Sequence, residues 1–341
     1  MSIAMKPGWR GLVVVAALLS ISTPTPATAD HPGLLSRYQG ARMSMACVYT
    51  IVVYGRDPAS LPGIVDAALD EVDRIDRLMS HYKPDSPLSR LNRTAAEGPM
   101  PVDPELFDFL VESLNYSRDS DGAFDITVGP LMKAWGFFRG DGRIPTESEI
   151  SELRTRVGYQ HVIMDAGEKT IHFDRPGVEL DLGGIAKGYA VDRAVSVLRH
   201  HSIAAALVSA GGSTLYALGA PPGRKGWEVS VQDPIDPRKV ALGVVLKDQA
   251  LSVAGSSEKF FEVEGVRYSH IMDPRTGRPV QGVLSVVVLA GSGTVGDALD
   301  DAFFVEGVVK SREHLKRLPA TEVFFLLPQA RGRWKMVHLR G

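Results

Sequence analysis

Hydrophobic and polar positions follow two different periods along this chain, and the change between them is sharpest at Val178–Ala194, VELDLGGIAKGYAVDRA. Val178, Leu180 and Leu182 alternate with Glu179 and Asp181, which is the period-two pattern of a short strand. Gly183–Gly184 breaks it. From Ile185 to about Arg199 the residues Ile185, Tyr189, Ala190, Ala194, Val197 and Leu198 fall on one helical face, so the stretch predicts strand, glycine turn and helix. Such a turn leaves backbone N–H groups open to an anion such as a phosphate, and Lys187 adds a mobile positive charge. The stretch itself carries neither GxxxxGK[ST] nor GxGxxG, and a tight connection with a surface lysine accounts for the same residues.

The rest of the pattern predicts an early strand within Arg42–Tyr54 and an amphipathic helix over residues 62–79. Turn chemistry follows in Met79–Asn92 around Lys83-Pro84-Asp85-Ser86-Pro87, with Tyr82 beside it. A helix over 104–119 starts behind Asp103-Pro104, and one over 146–157 carries Thr146 and Glu149 as a capping box. Between them, Asp121–Pro130 reads as a formed loop. Residues 161–174 predict a hairpin, and Ala204–Val208, Trp227–Val231, Val240–Leu246, Ala250–Val253, Phe260–Val263, Arg267–Ile271 and Ser285–Leu289 predict strands. Trp227–Val253 reads as a meander. This order implies an α+β fold with mixed, largely antiparallel sheets, packed helices and two closely associated subdomains, rather than a regular βα repeat.

Composition changes the picture mainly at the amino terminus. Lys6 and Arg10 precede a largely apolar run, Gly11–Ile21, and Ala27-Thr28-Ala29 follows, the layout of a cleaved signal peptide over residues 1–29 with one mature domain over 30–341. The only cysteine, Cys47, cannot form an internal disulfide, which fits export to a bacterial periplasm. The formal charge of −2 becomes −4 once Lys6 and Arg10 are removed with no acid lost. With no basic run, sequence-independent nucleic-acid binding is excluded.

Two stretches carry candidate chemistry. In Gly296–Phe303 a helix would place Asp297, Asp300 and Asp301 at i, i+3 and i+4, three repelling carboxylates on one face that suit a hard ion such as Mg²⁺ or Ca²⁺. Acids stabilising a first helical turn, with Thr294 as cap, account for them equally well. In Ser269–Pro279, His270 closes a strand and Asp273 opens a tight turn, so either is a candidate base, or His270 is structural.

Taken together, six blocks resemble the bacterial FAD:protein FMN transferases of the ApbE family in order and approximate spacing. They are MSHYKPDSPLSRLN, GAFDITVGPLMKAWGF, ELDLGGIAKGYAVDRA, VSAGGSTLYALG, YSHIMDPRTGRPV and GDALDDAFFVEG, and the resemblance covers nearly all of residues 40–310. It implies an exported, Mg²⁺-dependent enzyme that splits FAD, attaches FMN through a phosphoester to a threonine or serine of a partner protein, and releases AMP. By the same resemblance Met45, Tyr82, Ala123, Phe124, Asp125, Asp181, Lys187 and Ile271 contact FAD. Gly184, through its carbonyl, and Asp297, Asp300 and Asp301 hold the metal, and His270 lies next to the reacting phosphate. The chain departs from the family in having Asp301 where threonine is usual, Gly255-Ser256-Ser257 where Thr-Ser-Gly is common, and no asparagine in Ser209-Ala210-Gly211-Gly212. Other readings of the same residues are an FAD pyrophosphatase giving FMN and AMP, a non-catalytic periplasmic FAD-binding protein, and a solute-binding protein for another ligand.

Overall fold

The apolar stretches that lack polar alternation lie side by side in one sheet. The computed structural model describes residues 35–138 and 140–341, and the expected signal peptide lies outside them. Eight strands run antiparallel in the order Ser36–Ser44, Cys47–Gly55, Ala205–Ala210, Thr214–Leu218, Gln249–Gly255, Ser285–Ala290, Glu322–Gln329 and Arg333–Arg340. Successive side chains point to opposite faces, and both faces are covered. Ile51 and Val53 pack under helices Leu61–Met79 and Ala186–His200, whereas Val52 between them joins Leu207, Leu251 and Phe324 beneath a two-stranded ribbon, Trp227–Gln232 with Val240–Leu246. Helix Gly293–Leu315 covers Val286, Val288, Val323 and Phe325. Each fully buried Val, Leu or Ile contributes about 1.5–3 kcal/mol, which is why inner strands such as Ala205–Ala210 and Ser285–Ala290 read as continuous apolar runs, whereas the edge strands Ser36–Ser44 and Arg333–Arg340 alternate.

The structure differs from the sequence expectations in four places. Arg42–Tyr54 spans two strands, because the chain reverses at Met45 and Ala46, both with positive φ (48° and 59°). A two-residue turn of this kind ordinarily carries Asn or Gly, so nothing in the residue types announced it. Val178–Leu182 is extended but forms no strand. Its alternation is real, with Val178, Leu180 and Leu182 buried, but its backbone pairs with the Asn92 side chain (Leu180 N–H to Oδ1 2.8 Å, Nδ2 to Leu180 O 2.9 Å) and with Ile126 O (2.7 Å). The turn stretch Met79–Asn92 contains most of a helix, Pro87–Thr94, started by the Ser86 side chain accepting from Ser89 N–H at 2.9 Å. Trp227–Val253 is no single meander, since its first two strands form the ribbon and its third enters the main sheet.

An ionic network ties three helices beneath the sheet. Arg74 donates to Glu71 (2.8 Å) and Glu105 (2.8 Å), Arg193 donates to Glu71 (2.9 Å), and Tyr189 donates to Glu105 (2.8 Å). These contacts join Leu61–Met79, Pro104–Asp119 and Ala186–His200. Hydrogen bonding from Arg74, with Arg193 adding to it, pulls the Glu71 carboxyl down to about 2. A depressed carboxyl stabilises the fold above its ordinary value and loses that contribution as pH falls through the folded one. Glu71→Gln should therefore lower stability by about 1 kcal/mol at pH 7, with the deficit fading toward pH 2, in urea unfolding across a pH series. An equal deficit at both ends would contradict the assignment.

Candidate functional site

A cavity of about 980 Å³ lies between the first hairpin, the Gly183–Gly184 turn, and the segments around 121–142 and 256–274. Met45, Tyr82, Ala123, Phe124, Asp125, Asp181, Gly184, Lys187, His270, Ile271 and Asp301 all line it. Asp297 and Asp300 are buried outside that lining, and Asp273 is not part of it.

One part of the lining is aromatic. Tyr82 follows helix Leu61–Met79 and is 52% exposed, its ring stacked on Phe138 (centroids 4.7 Å apart, 16° between planes) and 3.9 Å from the ring of His81. His81 Nδ1 lies 3.4 Å from Asp181 Oδ1, and its Nε2 is buried with no hydrogen-bond partner. Asp181 also accepts from Gly183 N–H at 2.8 Å, which shapes the glycine turn.

Charged groups lie on and behind another part of the lining. Helix Gly293–Leu315 is capped by Ser292, which accepts from Val295 N–H at 3.2 Å, and not by Thr294, whose N–H (2.8 Å) and hydroxyl (2.6 Å) both donate to Asp192. Asp192 accepts from Gly293 N–H as well, at 2.7 Å, so helix Ala186–His200 fixes where its neighbour begins. The two helices approach so closely at Gly188 that a Cβ there would overlap the Gly293 carbonyl. Asp297 Oδ2 then accepts from Gly188 N–H at 2.9 Å, and Oδ1 from the Thr214 hydroxyl at 2.8 Å. Ser252 donates to Asp300 at 2.6 Å and meets Thr214 at 3.0 Å.

The protein's own groups meet part of this helix start: Gly183 N–H goes to Asp181, Ala186 N–H to Leu182 O and Gly188 N–H to Asp297.

Lys187 Nζ donates to Ser213 Oγ at 2.7 Å. Burial alone would push its ammonium down, but Asp297, Glu258 and further anions hold it above the ordinary lysine value. The acids answer in kind: burial, then Asp297, pushes Asp301 up to about 8, and burial with Asp301 and Asp297 pushes Asp300 up. His270 packs its Nδ1 3.3 Å from Lys259 O, so that nitrogen carries the proton. Burial, Lys259 and Lys187 push its imidazole down to about 3.

Asp273 is a correction. Arg275 engages both its carboxylate oxygens (2.9 and 3.2 Å), and Arg275 N–H adds a third contact at 3.0 Å, so it builds the turn and is not free to act as a base. Asp125 is also committed, accepting from Thr127 N–H (2.9 Å), the Thr127 hydroxyl (2.7 Å) and Tyr159 N–H (2.7 Å).

Among the described residues no three His, Cys, Asp or Glu side chains converge into a ready-made metal cage. The donors here are nonetheless oxygens throughout, the chemistry of a hard divalent ion. A Cβ on Gly184 would overlap Asp301 Oδ2, which puts that carboxylate directly against the glycine turn.

Sequence reasoning missed His81, Phe138, Ser213, Thr214, Ser252, Glu258 and Lys259. Thr214 and Ser252 left a signal, a hydroxyl inside an otherwise apolar strand, which needs a buried partner. Nothing local marks His81 or Lys259.

The model of the ApbE family matches residues 45–325. The chain belongs to that family and is an enzyme of its transferase class. FAD:protein FMN transferases of Treponema pallidum and Salmonella typhimurium are 34% and 32% identical to it, covering 95% and 85% of this chain and 92% and 84% of their own. Among solved structures, the ApbE protein of Thermotoga maritima superposes with a TM-score of 0.81 at 31% identity over 89% of this chain and 97% of that one. The flavin transferase ApbE of Vibrio cholerae gives 0.78 at 28% identity with the same coverage.

Asp125→Asn tests the local accounting. Three donors face two carboxylate oxygens, and an amide offers only one acceptor, so urea unfolding should show a loss of about 1–3 kcal/mol. A change within about 0.5 kcal/mol would contradict it.

Proposed function

We propose that this protein transfers FMN from FAD to a threonine or serine hydroxyl of a partner protein, releasing AMP, and that it works in the periplasm after export. The observation that carries the reading is one cavity lined both by an aromatic group at Tyr82 and by charged groups at Lys187, His270 and Asp301. Its volume of about 980 Å³ is at the upper end for small-molecule sites, as a dinucleotide requires. The names of the relatives support the activity. Lys6, Arg10 and the apolar run after them support export.

In this reading the flavin ring lies against Tyr82, and the pyrophosphate lies toward Lys187 and Lys259. The acceptor oxygen attacks the phosphorus nearer the flavin, the phosphoanhydride bond breaks, and AMP leaves. Lys187, kept protonated by its acidic neighbours, offsets the charge on the leaving phosphate. Mg²⁺ would be held by Asp297, Asp300, Asp301 and the Gly184 carbonyl, and when bound it would supply neutralisation of the phosphate oxygens. Because Ser213 holds Lys187 and Lys259 O holds His270, both side chains are oriented before substrate arrives.

Purified protein incubated with FAD and Mg²⁺, with and without a flavin-accepting domain carrying a candidate threonine, should convert the acceptor to a mass one FMN heavier as AMP appears. Free FMN without acceptor would instead make it a pyrophosphatase, and FAD left intact in both tubes would make it a binding protein. Tyr82→Ala should weaken FAD binding roughly three- to tenfold in a fluorescence titration, the worth of one ring contact. Unchanged affinity would remove the flavin from this part of the cavity.

A further inference from the structure

The aromatic part of the lining contains a polar atom that the protein itself leaves unmatched. Helix Leu61–Met79 ends where Ser80 turns extended (φ −76°, ψ 120°), and the chain then carries His81 and Tyr82 along the cavity wall. Tyr82 N–H donates to Ser80 Oγ at 3.3 Å and Ser89 Oγ donates to Ser80 O at 3.3 Å, so this exit from the helix is held from two sides. The His81 side chain is only 10% exposed. Its ring lies 3.9 Å from that of Tyr82 and 5.4 Å from that of Phe138, centroid to centroid.

One ring nitrogen of His81 has its partner fixed. Nδ1 faces Asp181 Oδ1 at 3.4 Å, and Gly183 N–H holds that same oxygen at 2.8 Å. A carboxylate in this place draws the ring proton to Nδ1. Burial pushes the imidazole below its ordinary value, with Asp181 opposing, so the ring is neutral and Nε2 is left as a bare acceptor. Nε2 is buried, and among the described residues no group donates to it. A buried acceptor in this state is costly, and a ligand that brings a donor recovers that cost.

An oxidised isoalloxazine offers one such donor. Its ring system carries a single N–H, at N3 between two carbonyls, whereas N1, N5 and both carbonyl oxygens only accept. Phe138 marks where a flat ring fits here, stacked on Tyr82 at 4.7 Å and 16° from parallel, with His81 beside both. Resting on the transferase reading, we propose that His81 is a specificity-determining residue for the flavin: the isoalloxazine takes the face of Tyr82 that Phe138 covers, and its N3–H donates to His81 Nε2. Asp181 keeps the ring proton on the far nitrogen, so the pair reads the presence of a donor on the flavin edge. Tyr82 supplies a surface that any flat ring satisfies, and His81 supplies the selection.

The test compares FAD with N3-methyl-FAD, by fluorescence titration of the full chain, in the parent, His81→Phe and His81→Gln. In the parent the methyl group removes the donor and should weaken binding about tenfold or more. His81→Phe keeps a flat ring without an acceptor, so it should bind FAD about tenfold more weakly than the parent does and hold the two flavins within about twofold of each other. His81→Gln, whose amide oxygen accepts, should restore part of the preference for FAD. Equal parental affinities for the two flavins overturn the inference, and that comparison needs no variant to fold. A preference that survives undiminished in His81→Phe also overturns it, because the methyl group would then merely clash. A parent protein that binds neither flavin overturns the transferase reading as well, whereas one that binds both equally and still transfers FMN overturns the role of His81 alone.

Discussion

Everything at the charged part of the cavity depends on how closely two helices meet at Gly188. Only a residue without a side chain lets helix Ala186–His200 touch the start of helix Gly293–Leu315 there, and the contact is fastened by Asp192 on one side and Asp297 on the other. That approach brings Asp297 beside Lys187 and Asp301 against Gly184. A larger residue at 188 would force the helices apart and separate those groups.

The contact concentrates charge that the protein alone does not balance. Asp297, Asp300, Asp301 and Glu258 share one region with Lys187 and Lys259, and burial combined with mutual repulsion raises the carboxyls of Asp300 and Asp301. Groups held this way suit a ligand that brings both a cation and a polyanion, which is how FAD with a divalent ion would arrive. The aromatic part asks for a flat ring, and Tyr82 with Phe138 already presents one face to another.

Much of this was legible in the chain. The period change at Gly183–Gly184 located the helix start to within a residue, and the spacing of Asp297, Asp300 and Asp301 placed three acids on one helix. The capping box at Thr146 and Glu149 formed as read. Tertiary partners were not legible. The alternation at Val178–Leu182 reported burial correctly but could not say that an asparagine side chain would replace a neighbouring strand. The turn at Met45–Ala46 was invisible because neither residue type favours positive φ. Asp273 looked available until Arg275, two residues on, was seen to take both its oxygens. Glu258 and Lys259 lie between the predicted strands Ala250–Val253 and Phe260–Val263, and what they line depends on how the turn after Gly255 folds.

The most direct test of this two-part lining is a crystal structure of the protein with FAD and Mn²⁺, read by anomalous scattering. The account predicts the flavin ring against Tyr82, the pyrophosphate beside Lys187, and an anomalous peak next to Asp301 and the Gly184 carbonyl. Flavin bound elsewhere, or a metal peak remote from Asp301, would contradict it.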